Sequence, residues 1–211
     1  MSFTIFEFLK IFFSLFLCTL PVVRIFNVKF ELALPVIISI IIFILYFFGF
    51  FLNLKAGLYF IYLVFASLFL ISFTKNKDKK NFYKNIFTPG LLIYFIWLLI
   101  IYIYYNEQPI STHDDIHHWW KADINAYKLN ILPVGDRVSN IPYYLPGVNL
   151  FSYFIFQVNG ELNESVALFA RSIWTYAIIA YLGNYLTWKN YKLLFLFLLF
   201  GFLMPNIFNN S

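Results

Sequence analysis

Ser111 to Asn130 reads STHDDIHHWWKADINAYKLN, and this stretch holds two adjacent acids, every histidine of the chain and two adjacent tryptophans. Adjacent carboxylates repel each other, and near a low-dielectric boundary one of them is suited to take a proton from a hydroxyl. That chemistry would use Asp114 as general base, with Asp115 beside it. A second chemistry is metal binding. His113 and His117 have the i, i+4 spacing that ligates zinc on a helix, with Asp114 and His118 nearby. No cysteine joins them and a third ligand has to be supplied from elsewhere, so they are weak candidates for a divalent metal, and no other cofactor is indicated. The third reading is an interfacial helix whose charges are solvated. The residue types leave all three open.

If the stretch is helical from Asp114, then Asp114, His117, His118 and Lys121 lie along one face at i, i+3, i+4 and i+7. Ile116, Trp119 or Trp120, Asp123, Ile124 and Tyr127 mark a neighbouring, mostly apolar stripe. Paired tryptophans beside a charged face suit the membrane–water interface, where an amphipathic ring is half buried.

The elements that must carry this stretch are apolar. The chain has 211 residues, 62% of them hydrophobic and only 12% charged, with a mean hydropathy of +0.75. A soluble domain carries about 25% charged residues, so the solvent for most of this surface is lipid. The sequence pI is about 9.1, but the bases fall in short runs between apolar segments, which excludes a phosphate-tracking groove and nucleic acid as a partner. Cys18 is the one cysteine, so no intrachain disulfide forms. The bias toward Phe, Ile, Asn and Lys suggests a bacterial, AT-rich source.

A helix needs about 20 apolar residues to cross a bilayer. On that criterion spans are expected near Ile5–Val23, Leu34–Leu52, Gly57–Phe73, Gly90–Tyr105, Val166–Trp188 and Leu193–Phe208. The expected fold is therefore all-α: a polytopic transmembrane bundle of about six spans, with an outer-face loop containing juxtamembrane helices. The start, MSFTIFEFLK, lacks a basic leader and a small-residue cleavage site, so the first span is read as retained although Glu7 and Lys10 fall within it. Leu145–Val158 is too short to cross and reads as interfacial or partly inserted.

Charge sets the expected orientation. The stretch TKNKDKKNFYK carries five lysines and one acid, which makes loop 75–87 cytoplasmic by the positive-inside rule. Loop 106–165 is then extracytoplasmic, and it holds seven acids against three bases. Keeping Leu145–Val158 from crossing also leaves Lys189 and Lys192 inside. One multi-pass cell-membrane domain over 1–211 is the economical division, with N-terminal spans and a basic loop in 1–89 and a core in 90–211. The end, LLFGFLMPNIFNNS, reads as the start of another outside loop, so the chain is expected to be the N-terminal part of something longer.

The order of several motifs carries a resemblance. An acidic pair after a span is followed by HHWWKADINAYKLNILP, then PYYLPGVNLFSYFIFQVNG, then ELNESVALFARSIWTYAIIAYLGNYL. From about Gly90 to Gly201 this resembles the GT-C superfamily of membrane glycosyltransferases, with protein O-mannosyltransferases and the aminoarabinose transferases of lipid A as the nearest branches. The matching positions are Asp114–Asp115, Pro142 to Gly147, Gly160, Asn163–Glu164 and Arg171. The resemblance implies transfer of a sugar from a polyprenyl-phosphate carrier to a hydroxyl of a glycan, lipid or protein acceptor on the outer face. It implies Asp114 as base and Asp115 in support, with Lys121, Arg137 and Arg171 as the cations available to the leaving phosphate. His118 would orient Asp114, while Trp120, Tyr143 and Tyr144 would line a lipid or sugar groove. Solvated or snorkelling charge is the alternative for each cation, and interfacial anchoring for each aromatic ring. Two other functions compete: a surface-polysaccharide polymerase or flippase component, and a membrane fragment without chemistry.

Overall fold

The computed structural model describes residues 3–74, 79–111, 119–134 and 146–208. Its helices are α1 Ile5–Phe26, α2 Phe30–Phe51, α3 Leu54–Thr74, α4 Lys79–Ile86, α5 Pro89–Tyr105, α6 Lys121–Leu129, α7 Gly147–Asn159, α8 Glu164–Leu182 and α9 Tyr191–Phe208. A 3-10 turn, Gly183–Tyr185, follows α8. No strand occurs among the described residues, and the all-α expectation holds.

Five segments are long and apolar enough to cross a membrane: α1, α2, α3, the α4–α5 segment Lys79–Tyr105, and Glu164–Tyr185. A helix of 22 residues such as α1 or α2 is about 33 Å long, which matches a bilayer core. The chain is a multi-pass membrane protein. The sixth expected span coincides with α9, whose apolar part over Tyr191–Gly201 is shorter than the other five.

The charges inside the first expected span sit at a helix end. Thr4 caps α1 and forms a capping box with Glu7. The other Glu7 oxygen accepts from Asn159 Nδ2 at 2.8 Å, and Lys10 Nζ donates to the Asn159 carbonyl at 2.5 Å. Both charges therefore bind the start of α1 to the end of α7, clear of the apolar length of the helix.

The 75–87 stretch, expected as a loop, contains α4. Residues Phe82 and Ile86 turn toward the bundle, and the guanidinium of Arg24 lies 5.4 Å from the ring centres of both Phe73 and Phe82. This cation–π contact fixes α4 against α1 and α3. The next helix begins where Thr88 accepts from the Leu91 amide at 3.1 Å. The same hydroxyl donates to Glu31 Oε2 at 2.6 Å, tying the starts of α2 and α5. A side chain at Gly90 would run into Glu31, so only glycine permits that approach.

The short apolar stretch becomes α7, and it does not lie flat on the surface. Every residue from Asn149 to Phe156 is buried, and α7 packs against α1, α2, α6 and α8. Its polar side chains Asn149 and Asn159 are buried too and bond to Asp123 and Glu7 inside the protein. At 13 residues, or about 20 Å, it enters the bundle without crossing it.

Candidate functional site

One end of the bundle gathers the start of α1, the start of α3, the end of α5, α6 and the start of α8. The Leu54 amide, at the start of α3, donates to the carbonyl of Asn130, the left-handed cap of α6, at 2.9 Å. Tyr153 Oη of α7 donates to Asn130 Oδ1 at 2.7 Å. Burial, with smaller contributions from Tyr62, Tyr59 and Tyr127, pushes the Tyr153 phenol well above its ordinary value. The phenol therefore keeps its proton and stays a donor to Asn130.

Trp119 and Trp120 form a wider turn leading into α6. Both are half-buried, and Trp120 meets Phe156 edge-on at 6.3 Å. In α6 the residues turned inward are Ala122, Asp123 and Ala126. Of the stripe expected from periodicity only Asp123 is fully buried, while Trp119, Trp120, Ile124 and Tyr127 are half-buried, so the buried face is centred on the two alanines and the carboxylate.

That carboxylate is the centre of the site. Asp123 is 0% exposed. Its Oδ1 accepts from Asn149 Nδ2 at 2.7 Å, and its Oδ2 receives Arg171 Nη2 at 3.1 Å. Asn149 also donates to the Trp119 carbonyl at 3.0 Å, so α7 holds both the turn before α6 and its buried acid. The Arg171 side chain is 15% exposed. Arg171 therefore holds an ion pair with a buried acid and keeps part of its side chain exposed.

Beside this pair the end of α5 is stitched to the head of α8. Asn163 caps α8 by accepting from the Ser165 amide at 2.9 Å. Glu164 Oε2 accepts from the Ile110 amide at 2.9 Å, and Ser165 Oγ donates to the Gln108 carbonyl at 3.2 Å. These bonds frame a cleft of about 330 Å³ whose wall includes Glu107, Gln108, Trp120, Asn163, Glu164 and Ser165. Among the described residues its lining has two carboxylates, an indole and no cation. Along α8, Arg171 follows Glu164 by seven residues, on the same face and about 10 Å further down the axis. Trp174, Ile178 and Tyr181 continue that face. With Pro35, Val36, Ser39, Ile40 and Phe43 of α2 they line an apolar groove of about 590 Å³.

Of the residues singled out by sequence, Trp120 lines the cleft and Arg171 sits in the buried pair. Lys121 opens α6, half-buried. Asp114, Asp115, His113, His117, His118, Arg137, Tyr143 and Tyr144 lie outside the described residues. Among the described residues, no group of three or more His, Cys, Asp or Glu is placed to hold a metal. Sequence reasoning passed over Asp123, Asn149 and Glu107. Asp123 carried a signal, since it is a charge on an otherwise apolar helical stripe, and a buried charge requires a partner. Compared with protein-family models, with curated proteins and with solved structures, the chain matches none.

Proposed function

We propose that this chain is a membrane glycosyltransferase acting at the outer face on a polyprenyl-phosphate-linked sugar. The observation that carries the reading is the order of environments down one face of α8. An uncharged-to-acidic cleft with an indole comes first, then the Asp123–Arg171 pair, then an apolar groove between α2 and α8. A lipid-linked sugar has the same order: a hydroxylated ring, a phosphate, a hydrocarbon chain. A guanidinium pairs with phosphate oxygens as readily as with a carboxylate, which makes Arg171 the cation nearest the middle of this order.

In this reading the acceptor oxygen attacks the anomeric carbon while Asp114 takes its proton. The bond from that carbon to the phosphate oxygen breaks, and the polyprenyl phosphate leaves with the electron pair. Cations near the phosphate stabilise the charge it gains. Asp115 supports the base, and the acceptor is a hydroxyl of a glycan, lipid or protein. Residues 106–165 stand outside the cell membrane and 75–87 inside, as the charge bias favours.

The test is transfer from a panel of radiolabelled polyprenyl-phosphate sugars in membranes of cells expressing the full-length protein. Asp114→Asn is expected to lower transfer by about a hundredfold or more, the range lost with a general base. Transfer unchanged in that variant would sink the assignment.

A further inference from the structure

The end of the bundle opposite the cleft has its own chemistry, and nothing in the glycosyltransferase reading uses it. That both segments discussed below share this end follows from two contacts. Lys29 Nζ, at the start of α2, donates to the Asn184 carbonyl at 2.7 Å. A side-chain carbon on Gly183 would lie 3.3 Å from Gly90 Cα, so the turn after α8 abuts the start of α5.

The first segment is α4. Lys79, Lys80, Tyr83, Lys84 and Phe87 are exposed, and the Phe87 amide continues the helix by donating to the Tyr83 carbonyl at 2.9 Å. The i, i+3, i+4, i+7 spacing of Lys80, Tyr83, Lys84 and Phe87 puts those four on one face, while Phe82 and Ile86 point inward. The outward face of this helix therefore alternates lysines with aromatic rings. The second segment follows α8, where Tyr185, Trp188, Lys189, Tyr191 and Lys192 are all exposed.

Charge is segregated along the bundle. Of the described acids, Glu7, Glu107, Asp123, Glu161 and Glu164 belong to the cleft end. Glu31 is at the opposite end, where it is 1% exposed and bonded to Thr88. So the surface of this end presents cations without an exposed acid among the described residues. Lysines interleaved with aromatic rings at the ends of membrane-crossing helices match one partner. The ring settles at the acyl boundary and the ammonium reaches a phosphate in the headgroup layer.

We infer that the α4 face and the Tyr185–Lys192 turn form a binding surface for anionic phospholipid headgroups. A nucleic acid or an acidic protein would pair with the lysines but leave the rings in water. The inference stands apart from the glycosyltransferase reading, since neither segment supplies a described lining residue of the cleft or the groove, or a member of the buried pair.

The experiment uses the full chain in detergent, stripped of lipid and offered equal amounts of phosphatidylglycerol and phosphatidylcholine with matched acyl chains. Native mass spectrometry reads the ratio of the two adducts. A preference for phosphatidylglycerol of about fivefold or more is expected, since each lysine near a headgroup contributes about that factor. K79Q/K80Q/K84Q/K189Q/K192Q is expected to bring the ratio to about one, and K79R/K80R/K84R/K189R/K192R to preserve it. K55Q/K128Q, which removes exposed lysines of the cleft end, is expected to leave it unchanged. A ratio near one in the unaltered chain overturns the inference. So does a preference that survives the five glutamines, or one that K55Q/K128Q abolishes. Displacement of the lipid by millimolar inorganic phosphate also overturns it, because the site would then recognise the free anion. The arginine variant must keep both the fold and the preference; loss of the preference in a folded arginine variant counts against a charge-based surface.

Discussion

Asp123 and Arg171 lie 48 residues apart in sequence, and their side chains meet at 3.1 Å with the carboxylate wholly buried. The pair joins the short helix α6 to α8 and does so at the boundary of the membrane-crossing bundle. Removing Asp123 takes the buried carboxylate from the largely buried Arg171 guanidinium. Asp123→Ala is expected to lose about 3–5 kcal/mol, seen as a lower unfolding temperature in detergent. The double variant Asp123→Leu/Arg171→Met is expected to recover most of that loss, because a buried pair replaced by apolar side chains is often neutral. Losses that simply add in the double variant would show that the two residues do not depend on each other.

Tyr153 offers a test with a defined pH sign. Its phenol is raised by burial, so the folded protein holds this proton more tightly than the unfolded chain, where tyrosine titrates near 10. The contribution is fully present below about pH 10 and is lost as the pH rises above it. Tyr153→Phe is expected to lower stability by about 1 kcal/mol at neutral pH through loss of the bond to Asn130. It is also expected to flatten the alkaline fall in unfolding temperature, and equal alkaline slopes in both proteins would contradict this.

The seat of α9 depends on a missing side chain. A carbon added at Gly201 would fall inside the indole of Trp97. Trp97 Nε1 donates to the Leu198 carbonyl at 3.2 Å, and Tyr176 Oη to that of Gly201 at 3.2 Å. Gly201→Ala is expected to displace α9, with an overpacking cost of about 1–3 kcal/mol. Limited proteolysis within 186–190 should become faster in the variant, and an unchanged rate would place α9 elsewhere.

At the opposite end Thr88 has two tasks, capping α5 and donating to Glu31. Thr88→Ser keeps the hydroxyl and is expected to be nearly neutral. Thr88→Val loses the cap, which costs about 1 kcal/mol, and leaves the buried carboxylate without its donor, which costs about 1–3 kcal/mol more. Thermal unfolding of the two variants should therefore separate clearly, and equal values would exclude the double role.

Orientation is open to direct measurement. On a Cys18→Ala background, single cysteines at Glu107 and Lys84, both exposed, should react with a membrane-impermeant maleimide from opposite sides. Glu107→Cys is expected to label in intact cells and Lys84→Cys only after permeabilisation. The reverse pattern would overturn both the orientation and the proposed outer-face chemistry.

Much of the scaffold was legible in the chain because lipid imposes simple arithmetic. Apolar runs of a bilayer's length became α1, α2, α3, α5 and α8, and the brevity of Leu145–Val158 already ruled out a crossing. The helix α4 was hidden because its lysines read as a loop, while its inward residues, Phe82 and Ile86, find a partner only in Arg24 and the bundle. Trp120 and Arg171 were recognised by residue type and position. The acid that Arg171 meets was not, although its place on an otherwise apolar stripe was a local sign of burial; its partners come from helices distant in sequence.

By itself, then, the sequence determined that this is an all-helical membrane protein, where its long apolar helices run and in which stretch its acids collect. Hydropathy and charge are properties of residues one after another, and a bilayer reads them in that order. Tertiary structure alone decided that Asp123 turns inward, that Asn149 and Arg171 satisfy it, and that the head of α8 closes a cleft with Trp120. Those outcomes depend on helices distant in sequence arriving side by side, where a buried carboxylate is stable only if a donor and a cation have been brought to it.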